Sequence, residues 1–262
     1  MTKNIYMSRQ EQMIFNSISS VDIVDGNEIM DIFPDLKPYQ VNKVCSSLSS
    51  KGYLHRLKKG VYLVQKKPSD IPIVKNAYKI ALTLFKGYIG FSSALRFYDL
   101  IDYEPFTIFV VTGNKSMEKT IGEYKFKSVA MGDKATGMTY QNGIYVSTIA
   151  KTFFDCFYKP QYAGGYSTIT NALYNADIDW NEFLGYFEIA SNSLCQRTGY
   201  VLDMLGDATS IVPIDVLDYF EKHIKNNTRL LPSGRSKGKY VKEWMLLDNL
   251  GKENILSWWY HG

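Results

Sequence analysis

The sequence predicts an α+β protein in two parts, a small helical unit closed by a hairpin over residues 1–67 and a mixed α/β unit over 68–262. Three observations predict it. Helical apolar spacing with capping signals fills the chain ahead of Lys51. Two short apolar runs then face each other across a Lys-Lys-Gly turn in "KGYLHRLKKGVYLV", 51–64. Beyond Lys66-Lys67-Pro68-Ser69, which reads as a linker, strand-like runs are interspersed with helical stretches.

Ser8-Arg9-Gln10-Glu11 is a capping box, and Met13, Ile14, Ser17 and Ile18 place a stripe at helical spacing behind it. A second helix fits Asn27–Phe33, stopped by Pro34. Asp35 is positioned to cap a third, with Pro38 in its first turn and Val41, Val44, Cys45 and Leu48 on its buried face. Gly52 ends that helix. In the hairpin, Leu54, Leu57, Val61, Leu63 and Val64 are available to pin the strands onto the helices, and Gly60 permits the turn. Three helices followed by a hairpin is the order of a winged helix-turn-helix.

In the second part, Pro72 opens a helix carrying Val74, Ala77, Ile80, Ala81 and Leu84, and Ser92 or Ser93 starts another through Tyr98. "FTIFVVTG" (106–113) is apolar enough for a buried strand, "EYKFKSVAM" (123–131) alternates, and "GIYVS" (143–147) is a third strand. Ser147 caps a helix over 148–158. Helices follow at 166–175, 180–190, 193–205 and 214–225, and "KYVKEWMLLDNL" returns to the sheet as a strand.

The net charge is +4, and its distribution says more than its size. Before residue 68 there are ten Lys and Arg against six Asp and Glu, and from Lys37 to Lys67 there is no acid. The whole excess lies in the first quarter, which points to a polyanionic partner. The third helix presents Lys37, Tyr39, Gln40, Lys43, Ser46 and Ser47 outward, and the hairpin turn gathers Arg56, Lys58 and Lys59. Gln and Lys suit base edges, while hydroxyls and cations suit phosphates. A solvated helix face without acids has the same composition. Order, spacing and charge together predict binding to double-stranded DNA.

The wing string "GYLHRLKKGVYL" after a three-helix module resembles the AbiEi family, the antitoxins and autorepressors of type IV toxin–antitoxin (abortive infection) systems. "GFSSALRFYDLID" (90–102), "GIYVSTIAKTFFDCFYKPQYAGGYSTITNAL" (143–173), "TGYVLDMLG" (198–206) and "LLPSGRSKGKYVKEWMLLDN" (230–249) extend the likeness over most of the chain. The resemblance implies repression of the chain's own operon through promoter repeats. It also implies a C-terminal domain that neutralises a nucleotidyltransferase-like toxin, with or without a stable complex. It carries no catalytic motif. Many members have arginine in the wing turn where this chain has Lys58-Lys59, and lysine loses the bidentate fork.

Other classes find less. Cys45, Cys156 and Cys195 are scattered, as are His55, His223 and His261, so neither a disulfide framework nor a metal knuckle is expected. No cofactor is expected either, because phosphate-loop, HExxH and dinucleotide signatures are missing. No apolar run suits a signal peptide or a membrane span, which predicts a cytoplasmic protein. Two alternatives stay open. Asp102 with Glu123 and Lys125 imitates the acid…E-x-K pattern of Mg²⁺-dependent nucleases, and a winged helix that is purely structural would make the chain a protein-interaction module. "YAGGYS" (162–167) could cradle a phosphate or simply turn, and "LLPSGRSKGK" (230–239) is a basic loop with either a ligand or solvent before it.

Overall fold

The computed structural model describes residues 6–234 and 237–261. Ser8 caps α1 (Arg9–Ile18) in a full capping box: Glu11 N–H donates to Ser8 Oγ at 3.3 Å, and Ser8 N–H to Glu11 Oε2 at 2.6 Å. The buried stripe is Glu11, Ile14, Phe15 and Ile18, while Met13 and Ser17 look outward. A short strand that periodicity does not reveal, β1 (Ile23–Asp25), leads into α2 (Gly26–Ile32), where Asp25 and Glu28 form a second box. Pro38 is the first residue of α3 (Pro38–Ser50), as expected, but Lys37 rather than Asp35 is its cap residue. The Gln40 side-chain carbonyl accepts the Lys37 N–H at 2.9 Å, closing half a capping box without Asp35.

The hairpin consists of β2 (Leu54–Lys58) and β3 (Val61–Val64), with Lys59 and Gly60 between them and Gly60 at φ +76°. β1 joins its other side, giving the antiparallel order β1-β3-β2. Only part of the expected pinning occurs. Leu54, Tyr62 and Val64 pack on α1–α3, whereas Leu57, Val61 and Leu63 face away and join the core of the second part. Strand alternation forces this split: successive side chains leave on opposite faces, so one hairpin serves two cores.

Residues 66–76 are not helical. Gln65 is buried and holds Ile73 twice, accepting its N–H at 3.0 Å and donating to its carbonyl at 3.2 Å. Pro72 lies in this extended strap, and α4 (Ala77–Leu84) starts later than expected because Asn76 caps it through the Lys79 N–H. Then come β4 (Tyr88–Ile89), α5 (Phe91–Phe97), β5 (Thr107–Thr112), β6 (Met117–Ile121), β7 (Tyr124–Ala130), β8 (Met138–Gln141) and β9 (Ile144–Ser147). They build a mixed six-stranded sheet of order β6-β7-β5-β4-β9-β8. The three expected strands are present, and β4, β6 and β8 are additional.

Both sheet faces are covered. Ile108 and Val110 point toward α4 and the hairpin, while Phe109 and Val111 point toward a helical layer. That layer begins with α6 (Ile149–Tyr158), α7 (Tyr166–Tyr174), α8 (Trp180–Phe187), α9 (Asn192–Thr209) and α10 (Ile214–Glu221). Thr148, not Ser147, caps α6: Ser147 ends β9 with its buried hydroxyl 2.6 Å from Thr152 Oγ1. The C-terminal run does not return to the main sheet. It folds as β10 (Thr228–Arg229), β11 (Lys239–Val241) and β12 (Leu246–Asp248), a separate small sheet against α9, before α11 (Lys252–Ile255) and α12 (Ser257–His261). The architecture is mixed α/β with several sheets. Among the described residues no helix is long and apolar enough to cross a membrane.

Candidate nucleic-acid interface

The outer face of α3 and the hairpin tip carry the residues that the sequence singles out, and the structure sorts them. Lys37, Tyr39, Lys43 and Ser46 are exposed, Tyr39 at 64%. Lys43 and Lys59 make no ion pair among the described residues. One member of the set is committed elsewhere and another is drawn inward. The Gln40 side-chain carbonyl caps its own helix, leaving only the amide N–H₂ to donate. Ser47 is half-buried beside Glu11, whose pKa its hydroxyl helps to lower.

That carboxylate is the electrostatic anchor of the helical unit. Glu11 is 5% exposed, and Lys51 Nζ lies 2.7 Å from its Oε2. Burial alone would raise its pKa, but the Lys51 ammonium and the bonds from Ser47 and Ser8 outweigh burial and hold it at about 2. Lys51 is therefore spent internally and adds nothing to the outward field.

At the hairpin, Arg56, Lys58 and Lys59 are all exposed but point to different neighbours. Arg56 pairs in register with Tyr62 on the α3 side, and its Nε donates to the Lys58 carbonyl at 3.4 Å. Lys58 turns the other way, its ammonium donating to the Thr83 carbonyl at the end of α4 at 2.6 Å. A cation at a helix C-terminus is stabilised by the carbonyls there. Lys59 borders a cleft of about 280 Å³ together with Asp25, Asn27, Pro38 and Asn42, so the tip and the start of α3 share one concavity. A second cleft of about 430 Å³ runs along Gln10, Tyr39, Gln40 and Lys43.

Two relevant residues escape the sequence reading. Asn42 is exposed one turn after Tyr39 on α3, and helical spacing alone could have found it. Lys119 of β6 donates its ammonium to the Leu57 carbonyl and, at 3.4 Å, to that of Arg56. Burial first, and then the Arg56 charge, push its pKa down. Nothing local announces that contact.

The remaining motifs are placed as follows. Glu123 is exposed at the β6–β7 turn, Lys125 pairs with Glu118 at 3.2 Å, and Asp102 is exposed. Among the described residues no group of three or more His, Cys, Asp or Glu could hold a metal ion. The three cysteines are buried and free. Gly164 and Gly165, both at φ +89°, turn the chain into α7. In the basic loop, Arg235 and Ser236 lie outside the described residues. The string Gly234–Gly238 has G-x-S-x-G spacing, and the element after Gly238 is β11, whereas a nucleophile elbow is followed by a helix.

No family model matches the chain, and no curated protein is detectably similar to it. Among solved structures, the crystal structure of the RV2827C protein from Mycobacterium tuberculosis shares the fold at a TM-score of 0.65 and 13% identity. The match covers 95% of this chain and 94% of that one.

Proposed function

We propose that the first part is a winged helix-turn-helix that binds double-stranded DNA, in a cytoplasmic antitoxin and autorepressor of the AbiEi type. One observation carries the DNA reading: the start of the acid-free helix α3, through Pro38 and Asn42, and the tip lysine, Lys59, border the same concavity, with Asp25 in its wall. In that reading α3 enters the major groove. Lys43 and Asn42 reach base edges, Tyr39, Ser46 and Lys37 reach the backbone, and Arg56 and Lys59 neutralise flanking phosphates. Gln40 donates one hydrogen bond through its amide instead of reading adenine bidentately, because its carbonyl caps the helix. Lys58 braces the hairpin instead of touching DNA.

The antitoxin part of the reading is supported by the resemblance alone, whose segments run through the second part in order. The partner it names is a nucleotidyltransferase-like toxin. The nuclease alternative loses support because Lys125 is held by Glu118. The interaction-module alternative gains one observation, the burial of the hairpin's back face on the second part.

A gel shift with the chain's own upstream DNA separates them. Lys43→Ala and Lys59→Ala each weaken binding, and Lys59→Ala lowers the steepness of log K against log salt by roughly one phosphate contact, about 0.9. Lys58→Ala changes that slope little. Unchanged affinity in both Lys43→Ala and Lys59→Ala removes the DNA reading. For the antitoxin, co-expression with a neighbouring nucleotidyltransferase-like gene restores growth, and failure to do so removes that part alone.

A further inference from the structure

Gly165 of the Gly-Gly turn and the segment Leu231–Ser233, far apart in sequence, face one cleft of about 540 Å³ in the second part. Its walls are largely aromatic and apolar: Phe157, Tyr158, Tyr166, Leu231 and Leu250. Tyr158 is partly exposed and stacks on Phe154 at an interplanar angle of 10°. Among the described residues lining the cleft the only charged side chain is Arg197 of α9. It is half-buried, and no carboxylate pairs with it among the described residues. On its other side Arg197 borders a second concavity of about 620 Å³, again without an acid and with Arg229 in its wall.

A partly desolvated guanidinium usually has a counter-charge, because leaving it unpaired forfeits strong charge-assisted hydrogen bonds. Here the neighbouring groups are all neutral or positive. Burial pushes the Tyr166 hydroxyl up to about 12, the Arg197 charge opposes the rise, and both side chains line the cleft. Arg197 is therefore a cation presented to a cavity, with flat rings across from it. The turn adds donors. Gly165 supplies no side-chain cap to α7, and a Cβ on it would meet nothing within 4 Å, so the space before it is open. The first-turn amides of Tyr166, Ser167 and Thr168 have no acceptor among the described residues.

We infer that this cleft binds a phosphate monoester attached to a flat aromatic group, of the size and chemistry of a mononucleotide. The phosphate sits on Arg197, whose fork matches two of its oxygens, and beside the open backbone at Gly165. The ring system lies against Tyr158, the exposed ring of the cleft. A volume of this size with apolar walls and a single fixed cation is what a small anionic ligand needs. None of the lining residues belongs to α3 or the hairpin, so the site is independent of the DNA reading.

The test is calorimetric titration of the full chain with AMP, GMP, adenosine and inorganic phosphate. Saturable one-to-one binding of AMP or GMP is expected, with adenosine and inorganic phosphate each weaker by about tenfold or more. Arg197→Gln lowers nucleotide affinity by about tenfold or more and leaves adenosine binding and the gel shift unchanged, while Arg197→Lys, keeping charge without the fork, falls between. A circular-dichroism melt of each variant establishes that it is folded. Absence of saturable nucleotide binding up to about 5 mM overturns the site, as does equal affinity in a folded Arg197→Gln. Inorganic phosphate binding as tightly as AMP overturns the aromatic half of the ligand.

Discussion

Replacing Glu11 by Gln tests the electrostatic anchor of the helical unit. The substitution keeps a side-chain carbonyl for the Ser8 N–H but removes the charge opposite Lys51. In the folded chain the Glu11 carboxyl stands at about 2 against its usual 4.5. A depressed carboxylate pKa contributes stability that is complete above about 4.5 and disappears as pH falls through about 2. At about 1.36 kcal/mol per pKa unit this amounts to roughly 3 kcal/mol. Solvent reaches the pair from the Lys51 side, which is 15% exposed, so about 2–3 kcal/mol is the expected loss at pH 7.

The assay must see the right part of the molecule. Trp180, Trp244, Trp258 and Trp259 all lie in the second part, so tryptophan fluorescence does not follow α1 and α3. Amide exchange read by mass spectrometry on peptides from α1 and α3 does. A loss of about 2–3 kcal/mol raises exchange there by roughly 30- to 150-fold at pH 7, and the gap between the two proteins narrows from pH 4.5 toward pH 2. A change below about 0.5 kcal/mol would place the pair among surface ion pairs and refute the anchoring argument. So would a gap that closes between pH 8 and 6, where this carboxylate does not titrate.

Other perturbations follow from single contacts. Leu57→Ala empties a site that is 1% exposed, and about 2–5 kcal/mol of stability is lost in denaturant titration. Lys119→Met releases the carbonyls of Arg56 and Leu57; the hairpin then exchanges its amides faster and DNA affinity in the gel shift falls although no residue of α3 has changed. Asp155→Ala strands the fully buried Lys151 ammonium and costs about 3–5 kcal/mol in a thermal melt, and the double change Lys151→Met with Asp155→Leu restores most of it. Gly199→Ala drives a Cβ to 2.4 Å from the Trp244 ring and 2.6 Å from Phe220 Cβ, lowering stability by about 1–3 kcal/mol or more with a shifted tryptophan signal.

What the sequence discloses depends on how far away each partner lies. The capping box at Ser8 and Glu11, the stop at Gly52 and the turn at Gly60 are local events, and they fold as local chemistry dictates. The run 106–113 reads as buried because both faces of β5 are covered. By contrast β4 is two residues long, and Tyr88 and Ile89 become a strand only because β5 and β9 flank them. The same limit applies to the interface. Lys43 and Tyr39 are legible as the outer face of a helix. Neither the turn of Lys58 toward Thr83 nor the pairing of Lys51 with Glu11 leaves a trace in spacing, since both partners come from other elements.

The placement of the hairpin follows from the same alternation that misleads a local reading. An isolated two-stranded hairpin is marginally stable in water, so its tip would be a poor platform for reading distance. Here every residue of β3 is buried, Tyr62 and Val64 on the helical core and Val61 and Leu63 on the sheet. Lys58 and Lys119 add hydrogen bonds, one donated by the hairpin to Thr83 and two received by it at Arg56 and Leu57. The tip is thereby fixed with respect to α3 and with respect to the six-stranded sheet at once. Lys59 and Arg56 can then face a partner without being needed to hold the fold together, and a change at the β6 edge is felt one hydrogen bond away from them. Charge at the tip is free for recognition because apolar burial behind it already determines where the tip stands.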